Sequence, residues 1–258
     1  MAEAIIKGIL SHGICAAQEV CVGEPVASRR KELEQRHGLS TTSDNREAAG
    51  QGDLVVLAVK PQSLADVLAE LRGSLGKDQV ALSIIAGARV DTIASGLGHQ
   101  GVIRVMPNTP AQIGAGMSLW LASEGVAEPY RETTRSILST LGKEMQVTDE
   151  KYLDMATALS ASGPAYVFLF IESLIDAGVY MGMSREMAHT LVVQTVLGSA
   201  MLAQETGRHP AELRDMVTSP GGTTAEALKV LETGRFRAVV MEAIVAAYEK
   251  SKSLGEQK

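Results

Sequence analysis

Through residue 148 the apolar positions alternate between helical spacing and short unbroken runs, the pattern of a parallel α/β sheet. Glu3–Leu10 places its apolar side chains at helical spacing, Glu19–Gly23 reads as a short strand, and Ser28–His37 is a charged helix. The run Asp53–Val59 is almost continuously apolar, as expected of a strand covered on both faces. It ends at Lys60-Pro61, and Pro61 can open the next helix because the first helical N–H needs no partner. Val80–Ile85 and Val102–Met106 repeat the buried-strand pattern, and Met117–Ala122 is a further strand. A helix around Glu128–Leu141 and a short strand near Met145–Val147 close this part.

From Thr148 onward helical periodicity takes over, in the pieces Asp149–Ala161, Pro164–Met181, Arg185–Glu205, Pro210–Val217, Thr224–Glu232 and Phe236–Leu254. The polar pair Thr148-Asp149 offers an N-cap and sets the expected boundary. The predicted architecture is an α/β domain of Rossmann type over residues 1–148, followed by an all-α domain over residues 149–258. Within the second, Val167-Phe-Leu-Phe-Ile171 with Leu174, Ile175, Val179, Tyr180 and Met181 is apolar nearly all round a helix, which demands burial on all sides. So small a helical domain cannot enclose it alone, and a homodimer with interlocked helical domains is expected, with assembly into a higher homo-oligomer left open.

Composition narrows the function classes. Hydrophobic residues at 45% and charged residues at 21% are ordinary for a globular chain, and a net charge of −6 argues against nucleic-acid binding. Aromatics are only 3%, so the core falls to aliphatic residues and the 11 Met. Cys15 and Cys21 have no CxxC spacing, and the five His are scattered without a metal-ligand pattern, which leaves no metal site to expect. The amino terminus lacks the long apolar stretch of a secretory signal. The most apolar segment, Ala165–Met183, carries Glu172 and Asp176, both costly in a bilayer, so a cytoplasmic location is expected.

Four segments could carry chemistry. Gly96-Leu-Gly-His-Gln-Gly101 matches the dinucleotide fingerprint, but it follows a helix and precedes a strand, the reverse of the required order, and reads as a turn. Arg104-Val-Met-Pro-Asn-Thr-Pro-Ala-Gln-Ile-Gly-Ala-Gly116 leaves a buried strand at the end where α/β sheets place ligands; a ligand loop and a rigid connector both fit. Ala161-Ser-Gly-Pro-Ala-Tyr166 interrupts two helical patterns, either as a kink or as a place where a ligand comes close. In Val217-Thr-Ser-Pro-Gly-Gly-Thr-Thr-Ala-Glu226, Thr223 and Glu226 match a capping box. The cap does not account for Gly221-Gly222 or the hydroxyl of Thr224, and two glycines before a helix start suit a carboxylate.

Taken together, Leu57-Ala-Val-Lys-Pro-Gln62, Val105-Met-Pro-Asn-Thr-Pro110, Ser162-Gly-Pro-Ala-Tyr166 and Leu213-Arg-Asp-Met-Val-Thr-Ser-Pro-Gly-Gly-Thr-Thr224 resemble the pyrroline-5-carboxylate reductase family across nearly the whole chain. The resemblance implies reduction of 1-pyrroline-5-carboxylate to L-proline by hydride transfer from NADPH or NADH. It assigns Asn45, Ala58, Val59, Lys60 and Pro61 to the cofactor, with Met106, Pro107 and Asn108. Ser162, Gly163 and Pro164 would flank the substrate, and Ser219, Gly221, Gly222 and Thr223 would seat its carboxylate. The Thr224 hydroxyl would bond the ring nitrogen as the catalytic contact. A protonated cyclic imine is already electrophilic, so such a site needs orientation rather than a nucleophile or metal.

Ala161 stands where the family commonly has Gly, and the family's opening strand and Gly-x-Gly-Asn loop are not in the chain, which begins at the Met-Ala pair that follows them. The expectation is that Met1 is an internal methionine and the native protein continues upstream. The missing strand would lie between Glu19–Gly23 and Asp53–Val59. Two other readings stand beside the reductase: a cofactor-deficient scaffold of the same fold, and a β-hydroxyacid dehydrogenase using Lys229, which has no matching motif around it. For the cofactor, Glu24 after the Glu19–Gly23 strand would favour NAD, while Ser28, Arg29 and Arg30 would receive the 2′-phosphate of NADP; NADP is the expected partner.

Overall fold

The computed structural model describes residues 1–256, and the last two residues of the expected helical domain lie outside the described residues. Helix α1 (Ala2–Ser11) leads to β1 (Cys21–Gly23), α2 (Ala27–His37), β2 (Ser40–Thr42) and α3 (Asn45–Ala49). Next come β3 (Leu54–Leu57), α4 (Leu64–Leu71), β4 (Val80–Ser83), α5 (Val90–Leu97) and β5 (Val102–Met106). The α/β part finishes with β6 (Gly116–Ala122), α6 (Glu128–Ser139) and β7 (Gly142–Gln146). Helices follow: α7 (Lys151–Ala156), a π-helical turn (Thr157–Ala161), α8 (Gly163–Tyr180), α9 (Arg185–Thr206), α10 (Pro210–Met216), α11 (Thr223–Thr233) and α12 (Phe236–Glu256).

The strands form two ladders. β1 pairs in parallel with β2, and β3-β4-β5-β6-β7 form the second, with β5 and β6 antiparallel and the other pairs parallel. Among the described residues no strand is hydrogen-bonded between β1 and β3. The consequence shows at Val56, which is 37% exposed in the middle of β3, whereas every residue of β4 and β5 is buried.

Period-two alternation sorts the strand side chains onto two faces. Val80, Leu82, Ile103 and Val105 join Ile5 and Ile9 of α1 and Ile137 and Leu138 of α6 in one core cluster. Ala81 and Val102 face the other way, with Leu68 and Leu71 of α4 and Ile93 and Leu97 of α5. The close fit of α4 and α5 depends on Gly96, where a Cβ would lie 2.7 Å from a Leu68 methyl group. Gly98 ends α5 in the left-handed conformation (φ 66°), so the Gly96–Gly101 segment is a helix end leading into β5, as its order in the chain indicates.

β2 and α3 were not anticipated. Ser40-Thr-Thr42 lacks the aliphatic run of a central strand because it is an outer strand, and α3 has only five residues. The strand expected at Met145–Val147 begins earlier, at Gly142, whose φ of 136° and contact with Gly116 exclude a side chain.

The chain divides into two compact units, residues 1–162 with 247–258 and residues 163–246. Strands end near the expected boundary at 148, but α7 stays with the sheet because Leu153 is wholly buried against Met106 and Leu121. The second unit buries little: Ile175, Gly178 and Ala188 are its covered residues, although α8 and α9 approach closely at Gly178. One chain alone therefore does not cover the helix, in keeping with the expectation that a second copy is needed. Phe168 is 62% and Leu169 64% exposed, because α9 covers one flank of α8 and leaves the rest open.

Candidate active site

In the first unit, the predicted cofactor residues gather at the carboxyl ends of parallel strands, where α/β sheets bind ligands. β1 ends at Gly23, and a Cβ there would stand 2.5 Å from the Asn45 amide oxygen, so the glycine is required for Asn45 to approach the strand. Asn45 opens α3, which Asp44 caps by accepting the Arg46 and Glu47 N–H groups. The Asn45 side-chain amide donates to Glu70 Oε2 at 2.7 Å, leaving its oxygen toward β1.

Past β3, Ala58 and Val59 are half-buried, while Lys60 and Pro61 are exposed. Pro61 opens a single 3-10 turn ahead of α4, as its fixed φ favours. Glu24 accepts from the Val26 N–H at 2.9 Å, and Arg30 donates to the carbonyls of Glu24 and Pro25. Arg29 is held by Glu3 and Glu32, so neither arginine stands free at the α2 start. The guanidinium of Arg29, then His37 and Arg36, pull the Glu3 carboxyl from its ordinary 4.5 down to about 2.

The β5 end is more occupied than its sequence suggests. Met106 is 5% exposed and belongs to the Leu121–Leu153 cluster, and Pro107 is buried, so neither offers a side chain to a ligand. Asn108 has both ends of its amide engaged: the oxygen accepts from Met117 N at 2.9 Å, and the nitrogen donates to the Ser160 carbonyl and hydroxyl, each at 3.3 Å. Below it, wholly buried Arg104 pairs with Glu150 at 2.7 Å and Asp154 at 3.2 Å. Glu150 also accepts the Val90 N–H at the start of α5, and Ser251 of α12 donates to Asp154 at 3.5 Å. A lone Arg inside Val-Ile-Arg-Val-Met was the sequence signal for this network. Its carboxylate partners carried none.

The predicted substrate residues lie at Ser162, the last residue of the first unit, and within the second unit. Gly163 and Pro164 begin α8. Ser219 through Gly222 lie in the turn between α10 and α11, closed by Gly222 N donating to the Ser219 carbonyl at 3.0 Å, and Thr223 and Thr224 open α11. Gly221 has φ 68°, a left-handed conformation natural to glycine. The capping-box expectation is corrected here: Gly222, in extended conformation, is the N-cap of α11, no side chain caps the helix, and Thr223 is its first residue. Gly222 already supplies the extended cap backbone, so Thr223 is drawn into the first turn. The leading N–H groups of α11 thus have no partner inside the helix and none from a capping side chain. Thr224 is half-buried and its hydroxyl has no hydrogen-bond partner among the described residues. This arrangement suits an anion seated on backbone donors with one hydroxyl beside it.

Comparison with known proteins shows the family of the chain. Residues 150–254 match the family model described as pyrroline-5-carboxylate reductase dimerisation, and residues 1–87 match one described as NADP oxidoreductase, coenzyme F420-dependent. A pyrroline-5-carboxylate reductase of Synechocystis is 43% identical over 100% of this chain and 96% of its own length. The solved pyrroline-5-carboxylate reductase of Coxiella burnetii superposes with a TM-score of 0.90 at 37% identity, covering 99% of this chain and 95% of that one. The Plasmodium falciparum enzyme, solved with NADP bound, gives 0.89 at 35% identity, covering 98% and 94%.

Proposed function

Because the chain belongs to the pyrroline-5-carboxylate reductase family, we propose that it reduces 1-pyrroline-5-carboxylate to L-proline, the last step of proline biosynthesis, using a nicotinamide cofactor. The observation that carries the reading is the uncapped, glycine-led start of α11 with the free Thr224 hydroxyl beside it. A substrate carboxylate takes the N–H groups around Gly221, Gly222 and Thr223, where the helix dipole favours negative charge. Thr224 then orients the ring nitrogen, with Ser219 beside the seat. Ser162, Gly163 and Pro164 flank the ring.

The dinucleotide fits the donor set of the first unit. The exposed Lys60 ammonium, which has no ion-pair partner among the described residues, suits a phosphate, and the Asn45 amide oxygen at the β1 end suits a ribose hydroxyl. Ala58, Val59 and Pro61 supply backbone beside them, and Met106 and Pro107 can act only through theirs. When bound, the cofactor supplies the hydride. The protein holds the imine by its carboxylate and nitrogen, and orientation supplies the rate because the protonated imine needs no further activation. We assign NADPH ahead of NADH, with Ser28 exposed at the start of α2 as the free hydroxyl for the 2′-phosphate.

The working unit is a homodimer built on the helical unit, whose exposed Phe168, Leu169, Leu191, Val239 and Val245 need a second copy to cover them. We place the enzyme in the cytoplasm. Among the described residues one helical stretch, Lys151–Tyr180, is long and apolar enough to cross a membrane, but Asp176 within it pairs with Arg185 at 2.9 Å.

Fluorescence titration with NADPH and NADH, followed by a coupled assay with pyrroline-5-carboxylate, tests the reading. Binding and turnover with a higher kcat/KM for NADPH are expected. Absence of cofactor binding by the 258-residue chain would favour the scaffold of the same fold.

A further inference from the structure

The π-helical turn Thr157–Ala161 sits between two α-helical stretches and is closed by Ser162 N donating to the Thr157 carbonyl at 2.9 Å. An extra residue in a helix turns the residue that follows it by about 100°. The turn therefore decides which way Ser162 faces. Such turns are uncommon and need outside support.

The support is on the page. In a regular helix the Ser160 carbonyl would accept from the N–H of residue 164, but Pro164 has none, and its ring crowds that carbonyl. A half-buried carbonyl without a donor is costly. The Asn108 amide nitrogen fills the vacancy, bonding the Ser160 carbonyl and hydroxyl at 3.3 Å each. Its oxygen is pinned by Met117 N at 2.9 Å, so the amide cannot turn away. Ala158, 1% exposed, and Ala161, packed on Met106, Leu121 and Leu153, anchor the same turn from the inside.

We propose that Asn108 is a positioning residue: it holds the π-turn open by satisfying the carbonyl that Pro164 leaves without a donor, and so fixes the orientation of Ser162, the last residue of the first unit, toward the substrate. The inference rests on the imine-reduction reading for its kinetic arm only. It assigns Asn108 a role distinct from direct cofactor contact.

Asn108→Asp keeps the acceptor for Met117 N and removes both donations to Ser160. In the full chain, amide exchange at Ser162 should quicken about tenfold, the effect of losing roughly one net hydrogen bond. The kcat for pyrroline-5-carboxylate should fall by a similar factor, and the NADPH Kd should stay within about twofold. A raised NADPH Kd with unchanged Ser162 exchange overturns the proposal in favour of direct cofactor contact. A lowered Tm with unchanged exchange and kcat reduces Asn108 to a fold brace and overturns it too. If the unaltered chain does not reduce the imine, the functional reading fails while the exchange arm still decides the clamp. Should N108D fail to fold, Ser160→Ala removes one of the two acceptors and should quicken Ser162 exchange severalfold; no change there refutes the clamp.

Discussion

Replacing Thr224 by Val separates chemistry from folding more cleanly than any other change in the site. The two side chains have nearly the same shape, so what is removed is the hydroxyl. Among the described residues that hydroxyl has no partner, unlike Thr218 and Thr233, which donate to carbonyls four residues back at 2.7 and 2.8 Å. Position 224 lies in the first turn of α11, where no earlier helical carbonyl is within reach. Helix propensities of Thr and Val are close, and no buried bond is broken, so stability should move by no more than about 0.5 kcal/mol. Against substrate the account differs. A hydrogen bond to a charged group contributes about 1.5–3 kcal/mol, which converts to a loss of about ten- to a hundredfold in kcat/KM. Because the ring nitrogen changes charge as it is reduced, most of the loss should fall in kcat. Steady-state kinetics at saturating NADPH, with a thermal melt of the same preparation, measure both quantities. Full activity in T224V would remove Thr224 from the mechanism. Lost activity together with a Tm lowered by many degrees would mean that the residue holds the turn.

Gly222→Ala would put a Cβ 2.4 Å from Ser219 Oγ and 3.2 Å from its carbonyl, although φ −80° suits alanine. The turn must shift, so KM for the imine should rise about tenfold with KM for NADPH unchanged, the loss of about one hydrogen bond at the carboxylate seat. Glu3→Gln removes a carboxyl whose folded pKa, about 2, lies below its ordinary 4.5 through Arg29, His37 and Arg36. Its contribution is complete above pH 4.5 and disappears as pH falls through 2. Melts of wild type and E3Q should therefore differ near neutrality, by about 1 kcal/mol after solvent screening, and converge in acid. A difference that persists at pH 2 would refute the assignment. Phe168→Lys with Leu169→Lys should turn a sedimenting dimer into monomer at micromolar concentration, and an unchanged sedimentation coefficient would place the interface elsewhere.

The fold was legible wherever burial leaves a periodic trace. Leu54-Val-Val-Leu57 and Val102-Ile-Arg-Val-Met106 announce covered strands because both faces of a parallel sheet are packed. Ser40-Thr-Thr42 did not, since an outer strand with one neighbour needs no aliphatic run. The unit division escaped for a different reason. Arg104 finds its carboxylates 46 and 50 residues later, and no local pattern reveals that α7 is tied to the sheet by a buried ion pair. Within one chain α8 stays open, as the expectation of a homodimer implies: periodicity shows that a face must be covered, and the size of the helical domain shows that one chain cannot cover it.

The site is harder to read than the fold because its donors are main-chain groups, which every residue except proline carries. A carboxylate seat built from N–H groups has no side-chain signature. What reaches the sequence is the exclusion it imposes: Gly221 because φ is 68°, Gly222 because Ser219 Oγ leaves no room for a Cβ. The Thr-x-x-Glu spacing at 223–226 pointed to a cap, yet the same letters suit a helix whose cap is the glycine before them, and only the backbone angles separate the two. Proline leaves a comparable negative trace. Pro164 marks a missing donor, and the side chain that compensates, Asn108, lies 52 residues before the Ser160 carbonyl it serves. Each motif read alone admits a structural explanation. The functional reading comes from the pairing of what one segment lacks with what another supplies.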